Sequence, residues 1–170
     1  MRFTAALLVL LSLWTVGATA ASPLTQLPLT GTVLAVVSPC ELDVMVTRST
    51  VSDLLPAGGV ARLVLHGLES PERFDALYME AYDLGWILAS EEEVYFALAS
   101  PLADEESRWP AYVYLDPGGF GLLNSFLLAS GLVTLDPMLE AVDEMTRLLL
   151  DIGAAAKRAG VGLWELAGEE

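Results

Sequence analysis

The sequence has one cysteine, one histidine and few basic residues. With Cys40 alone, no internal disulfide can form, so the fold must stand on packing or on a metal. A single cysteine in an exported chain is buried, pairs with another chain, or takes part in chemistry. Eight Lys and Arg stand against 23 Asp and Glu across 170 residues, a formal charge of −15. Such a field repels phosphate backbones and anionic membranes, and it lacks the basic face that tight non-specific nucleic-acid binding needs. It favours cations or basic proteins as partners. Long apolar runs are also missing beyond the first twenty residues, because charges, Gly or Pro break each one, so no later segment is expected to span a membrane.

What is present at the start has the three parts of a secretory signal. Arg2 is the positive region, Ala5 to Val16 the apolar region, and Ala18-Thr19-Ala20 the small-residue cleavage site. A membrane anchor needs about 20 apolar residues, and Thr15, Gly17 and Thr19 interrupt this run. Cleavage is expected after Ala20, giving a secreted or periplasmic protein. Removal of Arg2 leaves 7 basic residues against 23 acidic ones, a charge of −16. The expected organisation is a signal over 1–20, a lead-in over 21–30, one domain over 31–166 and a tail over 167–170. That length suits one domain with a real core.

Gly31 to Ser38 reads as a β-rich run, ended by Ser38-Pro39. Leu42, Val44 and Val46 then alternate with Glu41, Asp43 and Met45, the period of a half-buried strand. Val60 to Leu68 is a third strand, after a loop with Pro56, Gly58 and Gly59. Asp75 to Ala89 reads as a helix capped by Asp75, with Leu77, Tyr78, Ala81, Leu84, Ile87 and Leu88 on one apolar face. Val94 to Ala99 and Ala111 to Leu115 are further strands, and in the latter Tyr112 and Tyr114 alternate with Val113, one face toward the core. Leu122 to Ser130 is a short helix. Asp136-Pro137 opens a last helix, an N-cap followed by proline at the first helical position, with Leu139, Val142, Met145, Leu149, Ile152 and Ala156 as its stripe. Lys157 and Arg158 suit its end, and Gly160 closes it. The order β-β-β-α-β-β-α-α, α+β but mostly β, predicts a five-stranded OB-fold barrel with three helices.

Four segments carry a resemblance. His66-Gly67-Leu68-Glu69-Ser70-Pro71-Glu72 resembles the G-I-D-x-P-E signature of the staphylococcal nuclease-like (thermonuclease) family. Arg108-Trp109-Pro110-Ala111-Tyr112-Val113-Tyr114 is similar to its R-x-x-A-Y-V-Y strand. Asn124, Leu127, Gly131 and Leu132 follow its N-x-x-L-x-x-x-G-L helix, and Ala154 to Arg158 with Gly162-Leu163-Trp164 follow its closing pattern. The segments lie in order over about Gly31 to Glu165.

The resemblance implies calcium-dependent phosphodiester hydrolysis: a metal held by acidic side chains, a glutamate base, and two arginines for the developing charge. It puts Glu72 at the base and Arg108 at the second arginine. Glu69 falls on a metal aspartate, one methylene (about 1.5 Å) longer, a change calcium's varied carboxylate geometry tolerates. The other metal aspartate aligns with Cys40, a poor ligand for a hard cation, or with Glu41 after a one-residue shift. The first arginine aligns with Val64, with Arg62 about 7 Å along the same strand face. The phosphate-binding lysine aligns with Glu105, and the nucleotide-stacking tyrosines have no counterpart in Thr134 to Asp136.

Two functions follow. In one, the barrel is kept and the catalytic site eroded, leaving a binding or interaction module for a cation or basic protein. In the other, the domain is a working calcium-dependent endonuclease on DNA or RNA, nucleic acid entering as substrate through the resemblance alone. Arg108 could instead pair structurally with Asp104, Glu105 or Glu72. A further arrangement places Cys40, Glu69 and His66 around a softer metal such as zinc, although the odd spacing of His66 and Glu69 aims them at opposite strand faces.

Overall fold

The computed structural model describes residues 29–166. The expected signal over 1–20, most of the lead-in and the tail over 167–170 lie outside the described residues. The elements are β1 (Leu29–Ser38), β2 (Glu41–Ser49), β3 (Val60–Leu65), β4 (Leu68–Glu69), α1 (Tyr78–Ala89), β5 (Glu93–Leu98), β6 (Arg108–Tyr114), α2 (Leu123–Ala129), β7 (Thr134–Leu135), α3 (Glu144–Ala159) and α4 (Leu163–Leu166). Five strands close a barrel in the order β1-β2-β3-β6-β5, with β5 returning to β1. Every seam is antiparallel except β3 with β6. This is the expected OB-like barrel, with its helix between the third and fourth barrel strands and a fourth, one-turn helix at the end.

β1 serves two partners. It pairs with β2 along its length and with β5 through Leu29 to Thr32, and its register with β2 slips at three places. Such irregularities bend a strand and let a sheet curl shut. Gly31 sits at the first slip, where a Cβ would collide with the Val44 side chain and come within 2.7 Å of the Met45 carbonyl. The strand begins at Leu29, so Leu29 and Thr30 belong to the barrel and not to a lead-in. The alternation read from β2 holds: Leu42, Val44 and Val46 are buried, while Glu41, Asp43 and Met45 face outward.

Other boundaries also differ from expectation. The third strand breaks at His66-Gly67, where Gly67 adopts φ +78°, and its last part becomes β4, paired with β7. α1 starts at Tyr78, because the Asp75 carboxylate accepts the Leu77 N–H at 2.9 Å and closes a turn ahead of the helix. Ile87 is therefore solvent-facing (75% exposed), while Ala81, Gly85 and Ala89 form the buried face. Asp136-Pro137 does not open α3. The Asp136 N–H donates to the Gly67 carbonyl, and its carboxylate accepts the Met138 N–H in a local turn. The cap is Asp143, in a reciprocal capping box with Thr146. Gly160, at φ 61°, ends α3 as expected, with Lys157 and Arg158 in the last turn.

The core fills the barrel with Leu29, Val33, Val44, Leu63, Leu65, Val94, Phe96 and Val113, and extends to Leu123, Leu127 and Leu149 under the helices. Tyr112 and Tyr114 are buried along with Val113, so β6 has no open face past Ala111. Burial pushes the Tyr112 phenol up to about 12 and raises that of Tyr114. Asn124, fully buried, ties α2 to the strands: its Oδ1 accepts the Val113 N–H at 3.1 Å, and its Nδ2 donates to the carbonyls of His66 (3.1 Å) and Ala111 (3.3 Å).

Candidate functional site

The register of the barrel decides which side chains share a rim. Ser38 pairs with Glu41, so Pro39 and Cys40 form the turn between β1 and β2. Cys40 turns inward (4% exposed), and its carbonyl accepts the Leu65 N–H at 2.8 Å, fastening the hairpin to the end of β3. Burial pushes its thiol up to about 12; the Ser70 side chain opposes this, and the Glu41 and Glu69 carboxylates add to it. Cys40, Glu41, Glu69 and Ser70 thus share one rim. The thiol is neutral there, and Glu41, the first residue of β2, faces outward.

Glu41 and Asp43 on β2 lie opposite Val64 and Arg62 on β3, and Arg62 and Val64 lie opposite Arg108 and Pro110 on β6. Arg62 grips Asp43 with two hydrogen bonds, 2.8 and 2.9 Å. Arg108 is held more extensively. Its Nε donates to Asp104 Oδ2 at 2.7 Å, and its Nη1 donates to Glu41 Oε1 at 3.0 Å and pairs with Glu106 Oε2 at 3.1 Å. The Asp104 carboxylate also accepts the backbone N–H groups of Arg108 and Glu106, so the loop is wound tightly around it, with Ser107 at φ 61°. The Glu41–Arg108 pair joins β2 to β6 across β3, at the Val64 position where the resemblance implies the first arginine.

Arg108 therefore pairs with Asp104, as weighed from the sequence, but with Glu41 and Glu106 in place of Glu105 and Glu72. Glu72 is exposed, and among the described residues its carboxylate has no hydrogen-bond or ion-pair partner; only its backbone carbonyl is used, by the Asp75 N–H. Glu69 ends β4, exposed, beside the thiol. Glu105 is exposed in the acidic loop. Glu106 and Asp43 were not singled out from sequence. The only signal for Asp43 was its two-residue spacing from Glu41, which puts both on one strand face.

His66 does not join Cys40 and Glu69. Its ring packs edge-on against Tyr112 (5.3 Å), and burial lowers its pKa while Asp143 and Asp136 oppose the shift. Among the described residues no three His, Cys, Asp or Glu side chains are grouped to hold a metal ion. Calcium takes six to eight oxygen ligands, usually about two or more carboxylates. Here the candidate donors are a neutral thiol, a glutamate bound to Arg108, and an exposed glutamate, a set that does not fit the ion.

Four carboxylates on the rim, Glu41, Asp43, Asp104 and Glu106, pair with its two guanidinium groups. An anion approaching Arg108 meets a guanidinium whose Nε and Nη1 are already bound to carboxylates. Among the described residues no helix is long and apolar enough to cross a membrane. No protein-family model matches the chain, and no curated protein matches it either.

Proposed function

We propose that the domain is a non-hydrolytic interaction module on a nuclease-like OB barrel, serving a cationic partner in place of a phosphodiester. The observation that carries this reading is the occupation of Arg108 by Asp104, Glu41 and Glu106. A catalytic guanidinium must be free to meet charge that develops in the transition state, and losing one such contact costs a hundredfold or more in rate. Exposed pairs contribute at most about 1 kcal/mol each, so releasing Arg108 costs on the order of 2 kcal/mol before any phosphate binds. The neutral Cys40 thiol and the absence of an arginine at Val64 support the same reading. The N-terminal pattern around Arg2, Ala5 to Val16 and Ala18-Thr19-Ala20 supports export to the periplasm or medium.

The test is hydrolysis of denatured DNA and of RNA by the chain starting at Ala21, with calcium and with chelator. The expected result is no cleavage above buffer from protein shown to be folded. Calcium-dependent cleavage that disappears in Glu72→Gln would refute the proposal and establish the endonuclease in its place.

A further inference from the structure

α1 is apolar on two sides. Its inner side carries Ala81, Gly85 and Ala89, small residues that let it sit close on β1; a Cβ on Gly85 would lie 3.7 Å from Val36. Its second side carries Tyr78, Tyr82 and Trp86 at four-residue steps, with the rings of Tyr82 and Trp86 stacked 6.5 Å apart. Beside them Phe74 is 99% exposed and Met79 59%. Together with Val37 of β1 and Arg73, the residues Phe74, Tyr78, Met79 and Tyr82 line a groove of about 390 Å³. Contiguous exposed apolar surface rimmed by polar residues is the signature of a docking site, and aromatic residues are enriched where binding energy concentrates.

The charge around the groove selects its occupant. Asp75, Glu80 and Asp83 are exposed on the same segment, and from Glu69 through Glu93 inclusive Arg73 is the only basic residue, against eight acidic ones. A second copy would bring a like charge of −16 onto this face once Arg2 is gone, and anionic lipid or nucleic acid is repelled in the same way. We propose that the groove docks a cationic amphipathic segment of a partner protein. Its apolar side chains would enter between Phe74, Tyr78, Met79 and Tyr82, and its lysines or arginines would face Asp75, Glu80 and Asp83. This rests on the reading of the domain as a module, and it names the surface and the chemistry of the partner.

The probe is an amphipathic helical peptide of leucine and lysine, labelled for anisotropy and titrated with the chain starting at Ala21 at physiological salt. Binding is expected, weakened about tenfold or more by Phe74→Ser combined with Met79→Ser, two exposed positions whose change leaves the core intact. Phe120→Ser, at another exposed aromatic (81%) outside the groove, is expected to leave binding unchanged. A peptide of leucine and glutamate in the same pattern is expected not to bind. Absence of binding, equal binding of the glutamate peptide, or indifference to the double substitution overturns the proposal. So does a concentration-dependent dimer in sedimentation that the double substitution dissolves, which gives the groove to a second copy. Calcium-dependent hydrolysis, measured separately, would sink the module reading while leaving the peptide result to judge the groove.

Discussion

Replacing Asn124 with alanine isolates the contact that joins the helical layer to the barrel. The amide closes three hydrogen bonds in a fully buried place, to the Val113 N–H and to the carbonyls of His66 and Ala111. The two carbonyls lose one donor each, and Ala111 keeps a second, the His66 N–H at 2.9 Å. The Val113 N–H is left buried without a partner, which costs about 1–3 kcal/mol. The emptied volume adds about 1 kcal/mol, so the expected loss is about 3 kcal/mol. For a domain of this size that is a fall in Tm of roughly 10 °C. Asn124→Asp keeps the acceptor for Val113 but turns a carboxylate toward two carbonyl oxygens, and it is expected to destabilise more than alanine. Urea unfolding of the three proteins, with equal m-values, gives the comparison. An alanine variant within about 1 kcal/mol of the parent, or an aspartate variant more stable than the alanine one, would show that Asn124 does not hold the layers together.

Two further outcomes follow from the titrating groups. The Cys40 thiol, moved from 9.0 to about 12, has about a thousandfold less thiolate at pH 8 than an ordinary cysteine. Alkylation by iodoacetamide is expected to be slower by about that factor in native protein than in urea, and native rates within tenfold of the unfolded ones would reinstate Cys40 as a reactive group. His66, the one histidine, has its pKa lowered by burial, so the unfolded chain takes up a proton before the folded one does. Stability is then full above about 6.5 and falls as pH drops from there toward the folded value. His66→Gln is expected to flatten that part of the stability curve, and an unchanged slope would place its cause elsewhere.

The barrel strands were legible because their period is set by burial on one face. Leu42, Val44 and Val46 against Glu41, Asp43 and Met45 left no other register for β2. The ends of elements were harder to read, since identical local chemistry serves different purposes. Asp136-Pro137 has the composition of a helix start, but the Asp136 N–H is used by Gly67, far away in sequence. The working cap, Asp143, has Thr146 as its box partner in place of the usual Glu or Gln. β6 begins at Arg108 although Pro110 lies within it; the Pro110 carbonyl still accepts the Ala99 N–H. At the rim, sequence left Cys40 and Glu41 as alternatives. The hairpin separates them, with the sulfur inward and the carboxylate outward. That Glu41 would reach across β3 to Arg108 depends on the parallel seam between β3 and β6, which no local pattern encodes.

That parallel seam also sets an order of events. It pairs Arg62 with Arg108, 46 positions later, while the β1–β5 seam pairs Leu29 with Phe96, 67 positions later. Local pairing of β1 with β2 can proceed as soon as both are made, but the ring stays open until β6 arrives. Until then β3 shows an unpaired edge, the kind of edge through which chains join one another. Long-range seams of this kind slow folding, and the edge of β3 is covered only once the chain extends through β6. A chain cut short before Arg108 would never cover that edge.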